Sequence, residues 1–211
     1  MGRAIAGAGA ALAVALALAG CGSSPGAAPS ASAPSPAATA STRPTPVVQV
    51  PIAAATPSPA RWPVPPVGVV VASIDVAVPV VPVGVESGGF MELPEDPAVA
   101  GWYRFGSDPA APDGNVVISA HVDSPEYPIG PFSRLRDLAV GETVEVTDAA
   151  GDVRRYSVQS VTYYPKADLP VEALFARSGT RSLVLITCGG QFDSRTGRYA
   201  DNVVAIATPI T

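Results

Sequence analysis

Histidine is scarce in this chain: it occurs once, as His121, in 211 residues. Cysteine occurs twice, as Cys21 and Cys188. One imidazole and two thiols fall short of the tetrahedral nitrogen and sulfur set that holds zinc, so no metal site is expected. Charge is sparse too, and basic charge sparser: 13 Lys+Arg stand against 18 Asp+Glu, a formal net charge of −5. A nucleic-acid partner calls for a basic surface, so that class is disfavoured, and the acidic balance serves solubility. No carboxylate-rich loop suggests calcium, no fixed-period repeat is visible, and no cofactor is implied.

Proline is what the chain has in excess, 24 residues, with most of them in the first half. That asymmetry predicts a disordered segment joined to a compact one. Residues 1–20 have the pattern of an export signal: Arg3 supplies positive charge, and Ala4 to Ala19 is apolar or glycine throughout. This run is short for a membrane-spanning helix. It ends in Leu18-Ala19-Gly20-Cys21, which resembles the lipobox of bacterial lipoproteins. The resemblance implies cleavage before Cys21 and lipid on its thiol; an uncleaved N-terminal anchor is the alternative. Residues 21–66 are Ala, Ser, Pro and Thr with almost no charge and no helical or strand period. They are expected to form a semi-rigid spacer, about 3 Å per residue where extended.

Residues 67–211 are expected to form one all-β domain. Order is expected from near Val69, with a half-buried strand over Ser73–Val78, punctuated by Pro79, Pro82 and Gly84. Asn115–Ala120 is a short apolar strand that delivers His121. Arg134–Leu138 suggests a turn of helix. Thr143–Thr147 alternates, a hairpin turn spans Asp148–Asp152, and Val153–Tyr164 continues the strand pattern. Leu183–Thr187 is a buried strand expected to end at Cys188. A loop bounded by Gly189-Gly190 and Thr196-Gly197 follows, and Asn202–Ala207 is the last strand. Many short strands with Gly/Pro turns argue a closed or sandwiched β domain.

Two apolar strands thus end in a reactive residue. A thiol is a weak nucleophile until thiolate forms, and a neighbouring imidazole can take and return that proton. His121 and Cys188 are 67 positions apart (188 − 121), so only the fold can pair them. An inert buried Cys and a surface His fit the composition equally well.

The local motifs carry more. Val117-Ile118-Ser119-Ala120-His121 and Leu185-Ile186-Thr187-Cys188 resemble the two catalytic segments of sortases. Cys188-Gly189-Gly190-Gln191-Phe192-Asp193, with Thr196-Gly197-Arg198-Tyr199-Ala200-Asp201-Asn202-Val203-Val204, is similar to the class F branch of high-GC Gram-positive bacteria, as is Gly101-Trp102-Tyr103. The resemblance covers roughly Ser73 to Pro209. It implies an eight-stranded sortase-type β-barrel with short helices. It also implies a cysteine transpeptidase that cleaves sorting-signal peptides of secreted surface proteins. Cys188 would form a thioester, His121 would protonate the leaving amine, and a cell-wall or other amine would accept the acyl group. Such an enzyme works outside the cytoplasm, held at the membrane by the N-terminal lipid.

The family also uses an arginine after the cysteine. Ala200 stands where class F members carry one. Arg198 lies on the same strand face, one pleat further out, and is the expected substitute, with Arg195 as its rival. Asn202 or backbone amides are the alternative. Thr187 is expected to contact substrate or to serve as a structural hydroxyl. Asp123 is a candidate to orient the imidazole or merely a loop cap. Ala200 also motivates a second function, a catalytically weakened sortase-fold lipoprotein that binds envelope peptides. A third, a Cys transpeptidase of peptidoglycan stems, needs a Ser-x-Gly-Cys segment that Leu185-Ile186-Thr187-Cys188 lacks.

Overall fold

Alternating valines start the domain. In Pro66–Val71 (β1), Val69 and Val71 point into the core while Val70 is exposed. The computed structural model describes residues 61–210, so Cys21 and the segments 1–20 and 21–60 lie outside the described residues. The strand opens on Pro66, three positions before the expected start, and a first strand position suits a residue without an N–H. Ahead of it, Arg61 already pairs with the buried carboxylate of Asp108, so the spacer's last residues are docked.

The expected strand over Ser73–Val78 is instead a corner. Ala72–Ile74 forms one 3-10 turn, and Asp75 takes φ 50° in the left-handed region, where its short polar side chain is tolerated. The chain then reverses into Val76–Val83 (β2), which pairs antiparallel with β1. Pro79 and Pro82 lie inside β2 rather than ending it, and both are exposed.

The remaining strands are Ala100–Tyr103 (β3), Asn115–Ser119 (β4), Thr143–Asp148 (β5), Val153–Pro165 (β6), Ser182–Asp193 (β7) and Arg198–Pro209 (β8). They close in the order β1-β2-β3-β4-β7-β8-β6-β5, an eight-stranded barrel. Closure leaves no unpaired sheet edge. Pro131–Asp137 is a 3-10 helix that sinks Phe132 and Leu135 into the core, both fully buried. Each such side chain contributes about 1.5–3 kcal/mol, enough to fix the helix over the barrel. A single helical turn, Val171–Leu174 (α1), lies on the β6–β7 connection.

The unbroken apolar runs of β4 and β7 have a physical cause. These strands are neighbours, run parallel, and are buried on both faces. Val116, Ile118, Leu183 and Leu185 fill the barrel. Val117, Val184 and Ile186 pack outside it with Val204 and Leu174.

Candidate active site

The β4–β7 register runs Asn115↔Ser182 to Ser119↔Ile186. Ala120 and Thr187 come next after the last pair, and His121 and Cys188 follow them in sequence. Three hydrogen bonds fix that end. The Ser119 hydroxyl donates to the Ile186 carbonyl at 2.9 Å, and the Ala120 N–H donates to the same carbonyl at 3.3 Å. The Thr187 hydroxyl donates to the Ala120 carbonyl at 2.8 Å. Thr187 is 3% exposed, so its hydroxyl is spent inside the protein. That bond is the structural role weighed for Thr187 from its place in the sequence.

Cys188 is a half-buried free thiol. β7 does not end there, contrary to the expected loop, but continues to Asp193 and pairs with β8 to its tip. The register slips between Gly189 and Phe192, a bulge immediately after the cysteine. Gly190 takes φ 75°, and a Cβ there would run into the Asp201 carboxylate. A Cβ on Gly189 would lie 2.5 Å from Val203 Cγ2. Both glycines are therefore demanded by how closely β8 passes the thiol.

Cys188 opens onto a cavity of about 260 Å³ whose walls include Ile129, Arg136, Tyr163, Gly189 and Tyr199. His121 lines an adjoining hollow of about 380 Å³ with Glu95, Asp123, Ser124 and Tyr127. One hydrogen bond links the two walls: Tyr199 Oη donates to Asp123 Oδ2 at 2.5 Å. That bond, together with burial and the negative charges of Asp123 and Cys188, pushes the Tyr199 phenol up to about 12, against the pull of Arg136. One oxygen of the Asp123 carboxylate is thus engaged by Tyr199.

Asn202 lies directly opposite Cys188 in the β7–β8 register. It borders an apolar groove of about 380 Å³ with Phe90, Leu93, Leu169, Phe175 and Ile186. Arg198 is elsewhere. It pairs with Asp193 at the hairpin tip and lines a separate hollow with Arg195 and Phe192. Arg198 is four strand positions from Asn202, about 13 Å along an extended strand. Arg195 is turned back on the same tip, its N–H donating to Asp193 Oδ1 at 2.9 Å and its side chain 89% exposed. Arg136, on the 3-10 helix, lines the Cys188 cavity, whereas Arg198 and Arg195 line the hollow at the hairpin tip. Arg136 carries no local sequence signal; only docking of the 3-10 helix brings it there. Tyr199 sits inside a motif but was not singled out, because its partner is 76 positions away.

A Sortase domain family model matches residues 69–210. The chain belongs to the sortase family. Solved sortases share the fold. Sortase C1 of the GBS pilus island 1 aligns with a TM-score of 0.51 at 17% identity, over 68% of this chain and 64% of that one. Sortase C-1 from Streptococcus pneumoniae gives 0.51 at 21%, over 68% and 66%. Sortase A from Corynebacterium diphtheriae gives 0.51 at 17%, over 72% and 63%. The chain thus spans just under two thirds of the length of these sortases. No curated protein matches it in sequence. Among the described residues no helix is long and apolar enough to cross a membrane.

Proposed function

We propose that this sortase domain is a cysteine transpeptidase acting on sorting-signal peptides, with Cys188 as nucleophile and His121 as its acid/base partner. The observation that carries this is the parallel β4–β7 register, locked by Thr187 and Ala120 one residue before each of the two. Neighbouring strands are about 4.8 Å apart, a spacing that supports both side chains working on one substrate carbonyl.

The chemistry follows from the residues. The Cys188 thiolate attacks the scissile carbonyl carbon, a C–S bond forms, and the π pair moves to oxygen. Collapse of that oxyanion breaks the C–N bond, and the His121 imidazolium gives its proton to the departing amine. The amine acceptor then attacks the thioester, returning its proton to His121 and the sulfur to thiolate. Arg136 supplies positive charge to the cavity in which negative charge develops, the place assigned by sequence to Arg198. The groove beside Asn202 is apolar and suits the uncharged side chains of a sorting signal.

The class F-like motifs around Cys188 and Tyr199 support a reading of the domain as a member of that branch. Lipid on Cys21 and the spacer tether it outside the cytoplasm of a Gram-positive cell. Intact-mass analysis of the mature N-terminus tests the anchor: diacylglycerol on Cys21 is expected, and an unmodified residue 21 rejects it.

The function is tested with Cys188→Ala and a panel of sorting-signal peptides plus an amine. Loss of cleavage with an unchanged circular dichroism spectrum is expected; cleavage equal to the parent rejects the proposal. The binding-only alternative predicts that the parent retains peptides without ever cleaving them.

A further inference from the structure

The barrel has a further polar hollow, at the end opposite Cys188. Strand directions fix its place. β7 begins at Ser182, β6 at Val153, and β8 ends at Pro209, all at one pole. Six strand positions, about 20 Å, separate Ser182 from Cys188. The hollow has a volume of about 300 Å³ and is lined by Val153, Arg154, Arg155, Arg181, Pro209 and Ile210. Three guanidinium side chains border it, and no carboxylate does.

The acidic neighbours lie outside the hollow and leave donor capacity unused. Arg154 has only long ion pairs, 4.0 Å to Asp148 and 3.7 Å to Asp152. Arg155 donates to Glu145 through Nε at 2.8 Å. Arg181 donates to the Pro109 carbonyl at 3.1 Å and has no ion-pair partner among the described residues. The Nε donors of Arg154 and Arg181 are buried without a hydrogen-bond partner among these residues. Apart from the Arg181 bond to Pro109, the terminal guanidinium nitrogens of the three arginines make no hydrogen bond among the described residues and are the donors free for an oxyanion. Backbone pairing fixes the floor, with the Ile210 N–H donating to the Arg155 carbonyl at 2.9 Å.

We propose that this arginine-lined hollow is an anion site for a phosphate group. A planar guanidinium presents paired N–H donors that match phosphate oxygens, and three of them around one hollow suit a multiply charged tetrahedral oxyanion. The chain enters the domain at this same pole, where the Ala149 N–H donates to the Pro65 carbonyl at 2.8 Å. The phosphate belongs to a soluble compound or to a lipid headgroup, and one experiment separates them.

Inorganic pyrophosphate is titrated into the full chain by calorimetry at low ionic strength. Saturable one-site binding is expected, falling about tenfold or more in Arg181→Gln. Arg155→Gln, whose side chain is 64% exposed, keeps the fold and is expected to lose affinity as well. Peptide cleavage at Cys188 stays at the parent rate in both. Competition by phosphatidate vesicles assigns the site to a headgroup; competition by soluble phosphate esters alone assigns it to a soluble compound. Absence of saturable binding, or equal affinity in parent and both variants, overturns the proposal.

Discussion

The Thr187 hydroxyl donates to the Ala120 carbonyl at 2.8 Å, tying the residue before Cys188 to the residue before His121. The bond is buried and crosses the one parallel junction that unites the two reactive residues. It makes the spacing of the pair a property of the core. Thr187→Val keeps the volume but leaves that carbonyl without its partner. A loss of about 1–3 kcal/mol is expected in denaturant unfolding, with a fall in kcat at a temperature where the variant is still folded. An unchanged midpoint and kcat would show the bond to be idle.

Removing the imidazole tests the other half of the pair. His121→Ala is expected to lower kcat by about 10²–10⁴-fold, the usual worth of a positioned acid/base. Peptide affinity should hardly change, because the apolar groove beside Asn202 is untouched. Single-turnover kinetics with a sorting-signal peptide separate the two.

The two candidate arginines make opposite predictions. Arg136→Gln should reduce kcat/KM by about 100-fold, comparable to loss of one charge-stabilising donor. Arg198→Gln, at the hairpin tip, should leave it near the parent value. The reverse outcome would return the role to β8.

Much of this was legible in the sequence, and the gaps have causes. β4, β5 and β6 were readable because their periodicity and turns are local. The corner at Ala72–Asp75 was not, because Ser73–Val78 alternates as well as any strand, and only pairing of β1 with both β2 and β5 forces the chain to turn there. His121 and Cys188 are both expected just at strand ends, and that holds for only one of them. Ala120 and His121 do follow the end of β4, whereas β7 carries on past Cys188, because the bulge at Gly190 lets the hairpin keep its ladder. Arg136 was invisible because the packing of Phe132 and Leu135, not a motif, aims the helix that bears it.

The Tyr199–Asp123 bond predicts a pH effect at the alkaline end. The Tyr199 value of about 12 lies above that of a free phenol, so the protonated form is favoured by folding. The stabilisation is therefore full below about pH 10 and is lost as pH rises toward 12. Tyr199→Phe should remove one late phenol transition, near pH 12, from an ultraviolet titration and flatten alkaline unfolding over that window. A variant with the parent's titration curve would place the late phenol elsewhere.

The central claim is that Cys188 carries the acyl group. Intact-protein mass spectrometry after brief mixing with a sorting-signal peptide, without added amine, reads it directly. The account predicts an adduct equal to the acyl fragment, mapped to Cys188, discharged by an added amine and absent from Cys188→Ala. Peptide cleavage that proceeds with no adduct on Cys188, or that survives in Cys188→Ala, would contradict it.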